Sequence, residues 1–139
     1  MTDNLNPSQR SKAMRAVKQK DSAPEKLVRS LCHQLGLRFR LHRRDLPGCP
    51  DLVFPKYKTC VFVHGCFWHQ HLDCAKSKRP QTNAEFWNQN LDRNMARDAE
   101  VRALLSSLGW RVLTIWECQT KKLDILTSLV VTIPKTFRC

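Results

Sequence analysis

Between Val63 and Cys74 the chain reads V-H-G-C-F-W-H-Q-H-L-D-C, with three histidines, two cysteines and an aspartate in twelve residues. Cys66, His71 and Cys74 have the spacing C-x4-H-x2-C, a close set of soft and borderline donors of the kind that hold zinc. A closed tetrahedral site needs a fourth ligand, and Cys118 is the natural candidate, since it follows a strand that could lie beside this segment. The bland alternative is two buried cysteines and a surface histidine. His69 competes with His71 for the same role, so one of the two is spare, and Asp73 is a weaker alternative ligand. A closed zinc has no open coordination position, which leaves His64, Phe67, Trp68 and the spare histidine to another task.

The acids suggest that task. Asp51 follows Pro50 and opens an apolar strand, where an unpaired carboxylate would be costly to bury. It makes sense as a ligand of a divalent cation such as Mg²⁺, which needs only one or two carboxylates. Glu25 is a candidate second acid, or else the N3 residue of a capping box with Ser22. Asp98 lies on the helical stripe of Trp87, Leu91, Val101, Leu105 and Leu108, seven residues from both Leu91 and Leu105. A carboxylate there is either at the edge of the stripe or bound to a partner, and His64 or His69 would serve. Beside a metal-bound phosphate, the spare histidine suits a general base that takes a proton from water. Phe67 and Trp68 are either core residues flanking a hairpin or wedges that part base steps.

These residues need elements to position them. S-A-P-E predicts a helix from Ser22, ended by Gly36, and Leu37 to Leu41 alternates like a half-buried strand. R-R-D-L-P-G-C-P is turn material, and D-L-V-F and T-C-V-F-V-H read as a hairpin. Thr82 with Glu85 predicts a second capping box, opening a helix to about Ser107 that Gly109 stops. W-R-V-L-T-I-W reads as a strand buried on both faces, with Glu117 and Cys118 at its end, and a last helix is expected over Lys121 to Val131. The order implies an α/β domain with a mixed central β-sheet flanked by helices, whose active site would sit at strand ends. Residues 1–21 read as a basic arm, and 22–139 as one domain.

A net charge of +12 on 139 residues points to a polyanionic partner, nucleic acid first and an acidic membrane surface second. No basic amphipathic helix stands out to favour the membrane. Seven cysteines, an odd number, favour metal ligation of a clustered subset over disulfides, with Cys32 and Cys60 as ordinary core residues. No apolar run approaches the roughly 20 residues that span a bilayer, and the N-terminal segment lacks a signal-peptide h-region, so a cytoplasmic location is expected.

R-S-K-A-M-R-A, A-P-E-K, F-R-L-H-R-R-D-L-P-G-C-P-D, V-F-V-H-G-C-F-W-H, E-F-W-N-Q-N-L-D-R-N and L-G-W-R-V-L-T-I-W-E-C together resemble the Vsr family of very-short-patch-repair DNA mismatch endonucleases, over nearly the whole chain. The resemblance implies a restriction-endonuclease-like fold and nicking 5′ to the thymine of a T·G mismatch left by deamination of 5-methylcytosine. It implies Asp51 and the Val63 backbone carbonyl as Mg²⁺ ligands, with Glu25 ordering water around the ion. His69 would be the general base, supported by His64 and Asp98. Met14, Phe67 and Trp68 would intercalate beside the mismatch, and Cys66, His71, Cys74 and Cys118 would hold structural zinc. It further implies a bacterial protein acting at the nucleoid, a monomer, and cooperation with MutL-type repair proteins. The sequence departs from the wider nuclease superfamily at F-V-H-G, where an acid followed by lysine is usual. Two other functions fit part of the pattern: a zinc-stabilised DNA-binding module without cleavage, and a nuclease of this fold with another substrate.

Overall fold

The computed structural model describes residues 22–135. The expected arm over 1–21, with Met14, lies outside them. In order, the elements are α1 (Ala23–Gln34), β1 (Arg40–Leu41), β2 (Leu52–Phe54), β3 (Thr59–His64), α2 (Ala84–Ser107), β4 (Arg111–Trp116), α3 (Glu117–Thr120), α4 (Leu123–Val130) and α5 (Thr132–Lys135). The sheet runs β1-β2-β3-β4, antiparallel except for the parallel β3–β4 pair. It is the mixed sheet with flanking helices expected of a restriction-endonuclease-like domain.

Strand alternation decides what each face carries. Leu52, Phe54 and Val61 pack with Val28, Leu31 and Cys32 of α1 and Leu126, Val130 and Ile133 near the C-terminus. Val53, Cys60 and Phe62 face the other way, against Leu105 and Val101 of α2. His64 continues the alternation of Cys60 and Phe62 and so emerges on the α2 side, at the last residue of β3. In parallel register it pairs with Trp116. Because β2 runs opposite to β3, Asp51 just before β2 comes to the same end of the sheet as His64 and Trp116.

Several local expectations are corrected. Ser22 caps α1, its hydroxyl accepting from the Glu25 N–H at 3.3 Å, but the Glu25 side chain turns to the site described below. The second capping box does not form: α2 starts from Asn83, which has left-handed backbone (φ 54°) and makes no side-chain cap. Leu108 is 57% exposed and leaves the buried stripe. β4 is an edge strand with only Ile115 buried, because β3 covers one side alone. β1 shrinks to two exposed residues, and the helix expected over Lys121 to Val131 forms as α4, with the short α5 following beyond it.

Candidate active site

The end of the sheet opens into a cleft of about 560 Å³ that collects Glu25, Asp51, His64, His69, Asp98 and Phe67 among its walls. A larger groove of about 990 Å³, at the Pro55–Tyr57 end of β2, is lined by arginine, lysine and aromatic residues and has no carboxylate. The cleft is therefore the only one of the two with acid and base groups together.

Asp51 is set by three neighbours. Its Oδ2 accepts the Val63 N–H at 2.7 Å. In extended backbone the N–H and C=O of one residue point to the same side, so Val63 turns its carbonyl edge toward Asp51 as well. Burial pushes the Asp51 carboxyl up to about 7, the nearby Glu25 carboxylate adds to the rise, and the Val63 N–H opposes it. Glu25, 3% exposed, sits in the first turn of α1 and contacts Arg29 through Oε2; the same oxygen lies 2.9 Å from His42 Nε2. Donor atoms of Glu25, His42 and Asp51 lie within 4.8 Å of one another. Two carboxylates crowded in a buried pocket fit a divalent cation, which would relieve their repulsion.

The L-P-G-C-P turn that leads into Asp51 packs on α2. Gly48 has φ +75°, and a Cβ there would meet Val101 Cγ1 at 2.5 Å. Only glycine allows that approach.

Across the cleft, His69 Nδ1 lies 2.6 Å from Asp98 Oδ2, which fixes the proton on Nδ1 and leaves Nε2 as the basic nitrogen. Asp98 therefore has a partner on its apolar stripe. His64 stacks on His69, ring centroids 3.8 Å apart and 7° from parallel. Burial holds the His64 imidazole down to about 3, and the adjacent His69 adds to the effect. His64 Nδ1 is buried without a hydrogen-bond partner among the described residues.

The third group is Cys66, His71, Cys74 and Cys118, whose donor atoms also lie within 4.8 Å of one another. His71 Nδ1 is 3.7 Å from Cys66 Sγ and 3.4 Å from Cys118 Sγ. A tetrahedron with bonds of about 2.3 Å to sulfur and about 2.0 Å to nitrogen sets these atoms about 3.5 Å apart. The spacing and donor chemistry fit zinc. Burial pushes the Cys66 thiol up to about 12, and the Cys118 N–H, which donates to Cys66 Sγ at 3.4 Å, opposes that rise. The parallel β3–β4 register brings Cys66 and Cys118 together across 52 residues. Thus His71 stands with the thiols and His69 with Asp98.

Between the two centres lies Trp116, stacked on His71 at 4.3 Å and edge-on to His64 at 5.4 Å. Phe67 and Trp68 are partly exposed and pack on Trp87, at 5.5 and 5.9 Å between centroids. Sequence reasoning placed Trp87 in the core stripe. It is 6% exposed as expected, but it is also the base on which the two aromatics stand. Their carbonyls are tied down: Gln70 Nε2 donates to Phe67 O at 2.7 Å and Asn94 Nδ2 to Trp68 O at 3.1 Å. His42 was the residue missed entirely, since nothing in F-R-L-H-R-R distinguishes it from the basic residues around it.

The profile described as DNA mismatch endonuclease Vsr matches residues 2–76. Among proteins of similar sequence, the type II nicking enzyme V.XorIIP of Xanthomonas oryzae pv. oryzae is 47% identical over 92% of this chain and 93% of its own. The DNA mismatch endonuclease Vsr of Escherichia coli is 42% identical over 95% of this chain and 84% of its own. Among solved structures, the catalytic domain of the homing endonuclease I-Bth0305I superposes with a TM-score of 0.59, covering 86% of this chain and all of that one, at 19% identity. The last likeness concerns the fold alone.

Proposed function

The chain belongs to the Vsr family of DNA mismatch endonucleases, and on that basis we propose that it nicks duplex DNA on the 5′ side of the thymine in a T·G mismatch. It is a DNA endonuclease, and DNA is its partner. The observation that carries the finer reading is the cleft itself: a buried acid pair faces an Asp-oriented imidazole, with two aromatics on its rim.

The chain's own groups divide the work. His69 takes a proton at Nε2 from the attacking water, and Asp98 stabilises the imidazolium through Nδ1–H. His64, held neutral by burial, covers one face of that ring and keeps a second positive charge away from it. The water oxygen bonds to phosphorus as the 3′ oxygen leaves. Asp51 and the Val63 carbonyl, with Glu25 beside them, would hold Mg²⁺, which when bound would supply positive charge to the phosphate and the leaving oxygen. Phe67 and Trp68 enter the stack at the mismatch, where unstacking costs least, and Met14 of the arm joins them. Cys66, His71, Cys74 and Cys118 would hold Zn²⁺, which would supply a cross-link that stiffens the loop bearing Phe67 and Trp68.

The lesion is asymmetric, so one copy suffices, and MutL-type repair proteins are the proposed partners. No helix among the described residues is long and apolar enough to cross a membrane; the proposed location is the bacterial cytoplasm, at the nucleoid. A labelled T·G duplex incubated with protein and Mg²⁺ should be cut once, 5′ to the thymine, and left intact with EDTA. Equal cutting of a fully paired competitor would contradict mismatch dependence.

A further inference from the structure

We propose that His42 is a positioning residue of the catalytic centre, joining the two acid-bearing segments through one side chain and one backbone group. The inference rests on the reading of Asp51 as the cation-holding acid, with Glu25 ordering water beside it.

His42 follows β1, at the point where pairing with β2 ends. Its backbone is left-handed, φ 48°, a conformation that non-glycine residues adopt rarely and that persists where surroundings enforce it. Two bonds enforce it here. The His42 N–H donates to the Asp51 carbonyl at 3.3 Å, extending the β1–β2 ladder to the residue that carries the acid. The imidazole Nε2–H meets Glu25 Oε2 at 2.9 Å, reaching back to α1 across 17 residues. Both side chains are largely buried, with 11% of His42 and 4% of Glu25 exposed. Arg29 reaches the same Oε2 from one turn along α1. The two donors thus converge on one oxygen of Glu25 and fix the rotation of its carboxylate. This is the job that outer partners do for metal-ligating groups: they orient the ligand and set its affinity.

A structural role alone would lower stability and leave the cation site intact once the protein is folded. A positioning role predicts more. In the full chain, His42→Ala should bind Mn²⁺, measured by titration without DNA, about tenfold more weakly. It should nick a T·G duplex at saturating Mg²⁺ about tenfold more slowly, with KM for DNA within about twofold. His42→Gln, whose amide nitrogen reaches about as far as Nε2, should restore both values to within about threefold of wild type. Thermal melting and zinc content, measured on both variants, register misfolding. Asp51→Ala is the control. If it abolishes Mn²⁺ binding while folded His42→Ala binds as wild type does, the positioning role is wrong and the acid reading stands. If Asp51→Ala binds Mn²⁺ normally, the acid reading fails and takes this inference with it. If His42→Gln is folded, with wild-type zinc, but as impaired as His42→Ala, the hydrogen bond to Glu25 is not the cause, which also overturns the inference.

Discussion

In the proposed mechanism Asp51 and His69 carry opposite halves of the chemistry, and each predicts a distinct loss. Asp51→Asn should abolish nicking and leave binding to a mismatched duplex intact; a variant that nicks near the wild-type rate would overturn the assignment. His69→Ala should slow turnover by about two orders of magnitude or more, the usual worth of a general base, measured under single-turnover conditions. A much smaller loss would move the role to His64. The Asp51 carboxyl is raised to about 7, so the protonated form dominates below that pH and cation binding must displace the proton. Mn²⁺ affinity should therefore climb about tenfold per pH unit up to 7 and flatten above it; a flat profile from pH 5.5 to 8 would contradict the burial of this acid. His64 behaves in the reverse sense. Unfolded, it gains a proton below its ordinary value; folded, it resists protonation down to about 3. Its contribution to stability is thus present above the ordinary value and lost as pH falls, by about 1.4 kcal/mol per unit. At this scale the sequence was informative where residue types are unusual. Asp51 after Pro50, Asp98 on an apolar stripe and C-x4-H-x2-C all stand out. His42 does not, because its role depends on a left-handed backbone and a contact with α1 that no local pattern encodes.

At the scale of elements, the site is a consequence of strand direction. Antiparallel β2–β3 places Asp51 beside Val63, and parallel β3–β4 places Cys118 beside Cys66. Hairpin and strand periodicity made the sheet legible, and helical spacing did the same for α1 and α2. The second capping box misled because Thr82 and Glu85 have the right types and spacing, yet the chain enters α2 through left-handed Asn83. The edge position of β4 could not be read either, since an apolar run looks the same whether one neighbour or two cover it. The tight contact of Gly48 with Val101 gives a test at this scale. Gly48→Ala should destabilise the protein by about 1–3 kcal/mol in urea melts, from overpacking and left-handed strain. Adding Val101→Ala should recover only the packing part. Full recovery would mean that the backbone there carries no strain.

For the whole molecule, charge sets how DNA is found and the cleft sets what is done to it. With +12 on 139 residues, binding should be steeply salt-dependent. Raising salt from about 50 to about 200 mM should weaken duplex binding roughly a thousandfold if six or more phosphates are contacted. The charge predicted a polyanion from composition alone; it could not predict cleavage, which depends on acids and imidazoles meeting at one end of a sheet. That meeting is the central claim. A single-turnover assay tests it most directly, using a T·G duplex labelled on the thymine strand, with wild type and Asp51→Asn each in Mg²⁺ and in EDTA. The account predicts one nick, 5′ to the thymine, by wild type in Mg²⁺ alone. Nicking that survives EDTA or Asp51→Asn, or that falls equally on a fully paired duplex, would contradict it.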